Sequence, residues 1–124
     1  MANELSYSVA FTFQKGNLKE LSKALIGLVK NIATGTPFYN APSIGITEEA
    51  LALGDVTPAK AFYLFYNTDD TNYVEIRMGT GATLDMIYLP PKGAAMGFFG
   101  SDVTAPYAIA NTAACVIEVV LIPN

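Results

Sequence analysis

Four oxygen-bearing side chains lie close together near the middle of the sequence and are its clearest candidates for chemistry. Asn67, Asp69, Asp70 and Asn72 carry the carboxylate and amide oxygens that calcium prefers as ligands. Their spacing matches no calcium-binding loop, and the later glutamate that binds the ion through both oxygens is missing. Short polar side chains of this kind also hydrogen-bond their own backbone in turns. We therefore interpret this segment as a solvated turn.

Other catalytic and metal-binding arrangements are poorly supported, because the 124-residue sequence contains no histidine. This excludes histidine-dependent acid/base catalysis, histidine-based triads and the common histidine-containing zinc and cupin-type sites. The adjacent acids Glu48 with Glu49, and Asp69 with Asp70, are sequence neighbours that would not normally flank a glycosidic substrate. Residues 79–81 resemble a phosphate loop only superficially, since no helix or lysine follows them. We expect a protein without enzymatic activity, cofactor or metal.

The composition favours assembly with other protein subunits. Hydrophobic residues make up 52% of the chain and charged residues only 15%, against a usual charged share of about 25%. The net charge is −4 and Arg77 is the only arginine, so we expect neither nucleic acid nor an anionic membrane as a partner. The N-terminus lacks a signal-peptide pattern, and no apolar run approaches the ~20 residues that span a bilayer. We expect a chain made in the cytoplasm that forms homo-oligomers.

Length and cysteine content indicate one domain without a disulfide framework. A chain of this mass buries roughly two-thirds of its unfolded surface, which is enough for a sizeable core. The single cysteine, Cys115, lies within the apolar run at residues 113–122. We therefore interpret it as a small buried hydrophobic side chain.

Alternating and apolar runs indicate strands in three places. Residues 5–13 alternate between apolar and small polar side chains, which predicts a half-buried strand with its aromatic face inward. Residues 61–89 contain three apolar runs separated at residues 67–70 and 79–81, which predicts an antiparallel meander. The run at residues 114–122 is of strand length and should be central in its sheet.

The remaining segments are shorter or ambiguous. Leucines recur at helical spacing in residues 18–33, yet residues 25–32 suit a strand equally well, and both alternatives stay open. Residues 38–46 contain Pro42, which predicts an edge strand or an extended arm. Residues 47–49 indicate a single helical turn, because Gly54 follows so soon. Short strands are also expected at residues 95–99 and 107–110.

Eight or nine short strands at this spacing predict an all-β fold. We expect one antiparallel β-sandwich domain over residues 1–124, with a jelly-roll-like topology and at most one short helix.

Some predicted strands are apolar on both faces. Phe62, Leu64 and Tyr66 point one way, while Tyr63 and Phe65 point the other. One face can pack against a partner sheet, so the other needs cover from the chain itself or from a neighbouring subunit. In residues 74–78, by contrast, the apolar side chains alternate with Glu75 and Arg77, and that strand should have a wet face.

Two aromatic pairs are candidates for a subunit interface. Phe38 with Tyr39 precedes Asn40, and Phe98 with Phe99 lies between glycines. Aromatic side chains are enriched where subunits meet. Ordinary core packing is the alternative for all four.

Four segments of the chain resemble a group of small tailed-bacteriophage virion proteins; they are residues 49–56, 66–76, 89–93 and 107–114. The resemblance covers roughly residues 47–122 and consists of turn and strand motifs. It implies a β-sandwich similar to the cement or decoration proteins that reinforce a capsid exterior, often as trimers. The implied partner is the major capsid protein, and the implied location is the capsid surface. The resemblance transfers no functional residue.

Two alternatives remain open at this point. The same motifs suit a structural protein of the phage tail or baseplate. A carbohydrate-binding sandwich is the other alternative, with Phe38, Tyr39 and Tyr73 as a stacking surface, although the chain contains no tryptophan.

Overall fold

The structure, a computed structural model, describes residues 5–13, 21–32, 35–79 and 86–124. These residues form eleven strands and no helix, and every strand pair is antiparallel, so the predicted all-β antiparallel fold is confirmed. None of them belongs to a helix that could cross a bilayer. The strands are β1 (Leu5–Phe13), β2 (Leu21–Lys30), β3 (Phe38–Asn40), β4 (Ser43–Ile44), β5 (Glu49–Ala50), β6 (Phe62–Asn67), β7 (Val74–Arg77), β8 (Met86–Leu89), β9 (Ala94–Phe98), β10 (Tyr107–Ala110) and β11 (Cys115–Ile122).

The chain divides into two compact units, residues 1–33 and residues 34–124. The first contains the β1–β2 hairpin and the second contains the other nine strands described. The single-domain organisation over residues 1–124 stays a prediction.

The hairpin resolves the ambiguity at residues 18–33 in favour of a strand for residues 21–30, while residues 18–20 lie outside the described part of the chain. Tyr7 pairs with Leu28 and Val9 pairs with Leu25, so β2 contains one residue more than β1 between these pairs. Gly27 sits in this bulge with a φ of 74°. That left-handed conformation is easily adopted by glycine, which explains how β2 accommodates the extra residue.

The prediction that the aromatic face of β1 points inward is wrong for two described side chains. Val9 is 43% exposed and Phe11 is 52% exposed. The strand itself begins and ends where the alternation predicts, at residues 5 and 13. A ribbon of two strands has no second layer of its own, so alternation alone does not bury its apolar side chains.

Residues 34–124 form an antiparallel β-sandwich. One sheet has the strand order β5-β10-β7-β8, and the other has the order β3-β11-β6-β9 with β4 also pairing with β11. Buried side chains from both sheets make one core; the residues that contribute to it from the strands are Ile44, Phe65, Val74, Ile76, Leu89, Ala108, Ala110, Cys115, Ile117, Val119 and Leu121.

The predicted central position of the last strand is confirmed, since β11 pairs with β3 and β4 on one side and with β6 on the other. Its alternate residues, from Cys115 to Leu121, are at most 1% exposed. Cys115 is buried as predicted, and this burial, followed by the negative charge of Asp69, raises the pKa of its thiol. The thiol therefore stays protonated within the core.

Two local predictions are wrong. The three runs of residues 61–89 do not form a meander, because β6 lies in the five-stranded sheet while β7 and β8 pair in the other. Residues 47–49 form no helical turn; Glu49 and Ala50 instead make the short strand β5, which pairs with β10. The turn predicted at residues 79–81 lies largely outside the described residues.

The expected edge element at residues 38–46 is confirmed. It is split into β3 and β4, and Pro42 lies between them. Although proline has no N–H to donate, the Pro42 carbonyl accepts a hydrogen bond from the Ile117 backbone N–H at 3.1 Å. The wet face predicted for residues 74–78 is also confirmed, since Val74 and Ile76 are fully buried while Glu75 and Arg77 keep about a fifth of their side-chain surface exposed.

Candidate protein-binding face

The outward-pointing side chains of the five-stranded sheet form an apolar surface, which we call the sheet face. They alternate along each strand with the core residues and are aligned across the sheet by the strand register. In one row, Tyr39 is opposite Val120, Val120 opposite Leu64, and Leu64 opposite Met96. The sheet face consists of Tyr39, Ser43, Phe62, Leu64, Tyr66, Ala94, Met96, Phe98, Val116, Glu118, Val120 and Ile122.

This apolar character is unusual for the outer side of an antiparallel sandwich, which normally faces water with polar side chains. Val116 is 45% exposed and Phe98 is 38% exposed. Phe98 packs edge-on against Phe62, with 5.5 Å between the ring centroids. The two-faced pattern predicted for β6 is thus present in the structure, with Phe65 buried in the core and Phe62 on the opposite side.

Glu118 is the only charged residue of the sheet face. Its Oε1 accepts a hydrogen bond from the Tyr39 hydroxyl at 3.0 Å. This hydrogen bond, together with the negative charge of Glu118, raises the pKa of Tyr39. The pair leaves one carboxylate on an otherwise uncharged surface.

The four aromatic residues predicted for a subunit interface occupy different environments. Tyr39 is 62% exposed and Phe98 is 38% exposed, and both belong to the sheet face. Phe38 is half-buried against the core, and Phe99 is 4% exposed within it, with its ring 4.7 Å from that of Tyr63. A role in subunit contact stays a prediction, and only Tyr39 and Phe98 of the four present much surface for it.

The outer side of the four-stranded sheet is more polar than the sheet face. Arg77 donates to Glu48 at 2.8 Å and to Glu75 at 3.4 Å, and the bond to Glu48 is the main cause of the raised pKa of Arg77. Tyr73 directly precedes β7, and its ring lies 5.2 Å from that of Tyr88 in β8. Tyr73 therefore lies beside the sheet opposite that of Tyr39, and the structure does not bring the predicted carbohydrate-stacking residues together.

The segment at residues 67–72, first considered for calcium, joins the two sheets as a turn braced by its own side chains. Asp69 Oδ2 accepts the backbone N–H of Asn72 at 2.6 Å and that of Thr71 at 3.0 Å. These two hydrogen bonds, the one from Asn72 first, lower the pKa of Asp69. Asn67 Oδ1 accepts the Asp69 N–H at 3.0 Å. The expected side-chain-to-backbone hydrogen bonds of the turn are confirmed.

The described residues offer little else that could hold a ligand. Among the described residues, no group of three or more His, Cys, Asp and Glu side chains is arranged to bind a metal ion. An open cavity of about 250 Å³ is lined by Gly35, Asp55, Thr57, Ala59, Pro123 and Asn124. Asp55 is the only acidic side chain of its lining. Few of the polar groups that a specific small-molecule site uses therefore converge on this cavity.

Comparison of the chain with known proteins gives no match. No protein-family model matches it, and neither a curated protein nor a solved structure does. The sheet face is consequently interpreted from its own chemistry.

Sequence reasoning missed several members of the sheet face, namely Val116, Val120, Ile122 and Met96. Three of them lie in β11, whose continuous apolar run was interpreted only as the sign of a central strand. The two-sided apolar pattern of β6 also holds for β11 and is the signal for these residues, because alternate residues of any strand point to opposite faces.

Proposed function

We propose that this chain is a non-enzymatic structural protein of a tailed-bacteriophage virion. In this proposal it is a capsid cement or decoration protein that binds the major capsid protein on the shell exterior and stabilises the shell. The observation that carries the proposal is the sheet face, which has eleven uncharged residues and one carboxylate, with Tyr39, Phe98 and Val116 38–62% exposed. Exposed apolar surfaces of this kind mark sites of protein–protein contact. Self-association, with a trimer as the expected form, is part of the proposal.

The pairing pattern supports a jelly-roll topology for this protein. The pairs β7–β8, β6–β9, β5–β10 and β3–β11 are nested one outside the other along the chain and fall alternately in the two sheets. A long antiparallel ribbon folded over on itself would produce this pattern, and a jelly roll is a sandwich of two Greek keys of this type. We infer a jelly roll for residues 34–124.

Decoration would act through repetition. A shell presents many equivalent sites, so contacts that are individually weak become strong when several subunits of one oligomer engage together. An oligomer that bridges neighbouring capsomers would oppose their separation. Few surface charges suit such a role, because apolar contacts lose little strength when salt concentration changes.

The proposal is tested by adding the purified chain to phage particles assembled without it. We expect the chain to sediment with these particles and to raise the temperature at which they release their DNA. Particles that already carry the protein are the matched control and should take up none. Absence of co-sedimentation would overturn the virion role, and binding without thermal stabilisation would overturn the cement role. Electron microscopy of gold-labelled chain on the tail would instead favour the tail or baseplate alternative.

A further inference from the structure

The β1–β2 hairpin also has an apolar surface, which we call the hairpin face. The side chains of Leu5, Tyr7, Val9 and Phe11 point to one side of β1, because alternate residues of a strand share a face. The register places residues of β2 opposite them on that side. The hairpin face consists of Leu5, Tyr7, Val9, Phe11, Lys23, Leu25, Leu28 and Lys30.

The hairpin face carries a lysine on either side of an apolar middle part. Lys30 is opposite Leu5, and Lys23 is opposite Phe11. Between the two lysines, Val9 and its partner Leu25 are 43% and 44% exposed. The opposite side carries Ser6, Ser8 and Ala10 from β1, with Ala24 and the 52% exposed Val29 from β2, so it is less apolar than the hairpin face. Two-stranded hairpins are marginally stable alone and gain stability when an apolar side is covered.

The charges of the two surfaces are complementary. The sheet face contains one charged residue, the acid Glu118, whereas β1 and β2 contain two lysines and no acid. The same asymmetry extends over the sequence. Residues 1–33 have four lysines and two acids, a net charge of +2, while residues 34–124 have three bases and nine acids, a net charge of −6. Together they give the net charge of −4 of the whole chain, and opposite charges favour contact between the two surfaces.

The two surfaces also match in size. A nine-residue hairpin is about 30 Å long and about 10 Å wide, and four strands spaced about 4.8 Å apart cover a patch of similar area, near 300 Å². One contact then removes about 600 Å² from water, which is in the range of crystal-packing contacts. Two copies that exchange hairpins reciprocally share two such contacts and bury about 1,200 Å² between them, which reaches the size of specific interfaces.

We propose that the sheet face of one copy of this chain is covered by the hairpin face of a second copy. In the assembly every copy donates its hairpin to a neighbour and accepts a hairpin on its own sheet face. The apolar residues of the two surfaces pack together, and a hairpin lysine neutralises Glu118. This contact assigns the sheet face to self-association between copies of this chain, and it does not depend on the virion role proposed above.

A cross-linking experiment tests the location and the intermolecular nature of this contact. In the full-length chain with Cys115→Ala, one variant receives a cysteine on the hairpin face by Leu25→Cys, and a second receives one on the sheet face by Val116→Cys. The two variants, distinguished by a mass label, are mixed and oxidised. Tyr88→Cys, on the other sheet and 56% exposed, is the matched control acceptor.

We expect the disulfide between the hairpin and sheet-face variants to form with at least tenfold the yield of the control disulfide. Equal yields, or a higher yield with Tyr88→Cys, would overturn the proposal. A chain with both Leu25→Cys and Val116→Cys provides a further check at low concentration. It should give disulfide-linked multimers, and a disulfide closed within a monomer would overturn the proposal.

Charge reversal supplies an independent readout in solution. Glu118→Lys should weaken self-association at least tenfold, as followed by light scattering over a dilution series. Combining it with Lys23→Glu and Lys30→Glu should restore association, which a misfolded variant could not do. Wild-type chain that stays at the monomer mass of 13.2 kDa at every concentration would overturn the proposal. That result would leave the particle-binding test of the virion role unaffected, so the two failures are distinguishable.

Discussion

Asn67 ties together three segments of the sandwich. It is fully buried, and its Nδ2 lies 2.8 Å from the Asn72 carbonyl oxygen and 3.2 Å from those of Leu89 and Pro90. Since Asn67 Oδ1 also accepts a backbone N–H, each polar atom of this side chain has a partner. Buried polar groups are stabilising only when they are satisfied in this way.

Truncation of Asn67 should therefore be costly. Asn67→Ala leaves buried carbonyls and one N–H without this partner, and we expect the free energy of unfolding to fall by about 3 kcal/mol. Urea denaturation measures the change. Asn40→Ala is the matched control, because Asn40 Oδ1 accepts only the Ala41 N–H at 3.0 Å and is half-buried. A loss no larger for Asn67→Ala than for the control would contradict the bracing role.

Asp69 should make stability depend on pH in the acid range. Backbone N–H groups hold the pKa of its carboxyl below the ordinary value of 3.8, so the folded state favours the charged form. The stabilisation is fully present above pH 3.8 and is lost as the pH falls through the lowered pKa. Asp69→Asn should flatten this part of the curve of unfolding free energy against pH. The exposed Asp102→Asn serves as control, and an unchanged acid limb in Asp69→Asn would refute the assignment.

At the scale of the element, the two faces of β11 are assigned different roles. One face packs in the core and stabilises the fold, and the other belongs to the surface proposed for association. Ile117 is fully buried in the core, whereas its neighbour Val116 is 45% exposed on the sheet face. Ile117→Ala should lower the free energy of unfolding by about 2–4 kcal/mol because it opens a cavity. Val116→Ala should change it by less than about 0.5 kcal/mol, as is usual for exposed positions.

Thermal or urea denaturation at a concentration where the chain is monomeric provides the comparison. Under these conditions similar losses for the two variants would show that the assigned faces of β11 are wrong. At higher concentration only Val116→Ala should weaken self-association among variants that remain folded.

The individual strands could be predicted from local pattern, but their pairing could not. Alternation is a property of neighbouring residues, so β10 was predicted with its observed bounds and β1 likewise. The meander was wrong because β6 pairs with β9 and β11, which are far away in sequence. A short turn such as residues 67–70 can lead either into a hairpin or across to the other sheet. The choice depends on which distant strands complete the core.

Very short strands also cannot be predicted from the local sequence pattern. The two-residue strand β5 exists because Ala50 and Glu49 pair with Tyr107 and Ala108 of β10. Two acids after a threonine favour a helix start in isolation. Pairing with an existing strand satisfies backbone groups of this segment, and the Glu49 carboxylate accepts the Gly45 N–H at 3.1 Å. Tertiary context thus overrides the local preference.

At the scale of the whole molecule, the sequence indicates that an apolar surface needs cover. It does not indicate how far that surface extends. Phe62, Leu64 and Tyr66 could be assigned to one side of a strand from their spacing alone. Assembling them with Tyr39 and Met96 into one surface required the register of four strands, which brings together residues more than fifty positions apart. The bulge at Gly27 similarly decides which residues of β2 join the hairpin face, and the apolar pattern gave no sign of it.

Hairpin exchange predicts a concentration dependence of backbone protection. In the proposed exchange, the described hairpin amides, in residues 5–13 and 21–30, gain cover when a second copy binds. Those of β6 and β11 lie inside a sandwich with its own core. Amide exchange reports how often each region opens. Exchange in the hairpin should therefore slow at least tenfold between a dilute and a concentrated sample, while exchange in β6 and β11 stays the same. Hydrogen exchange measured by mass spectrometry on the full-length chain gives both values in one experiment. Glu118→Lys, which should prevent association, is the control and should show fast hairpin exchange at both concentrations. Hairpin exchange that is independent of concentration in a chain that does self-associate would place the contact on another surface.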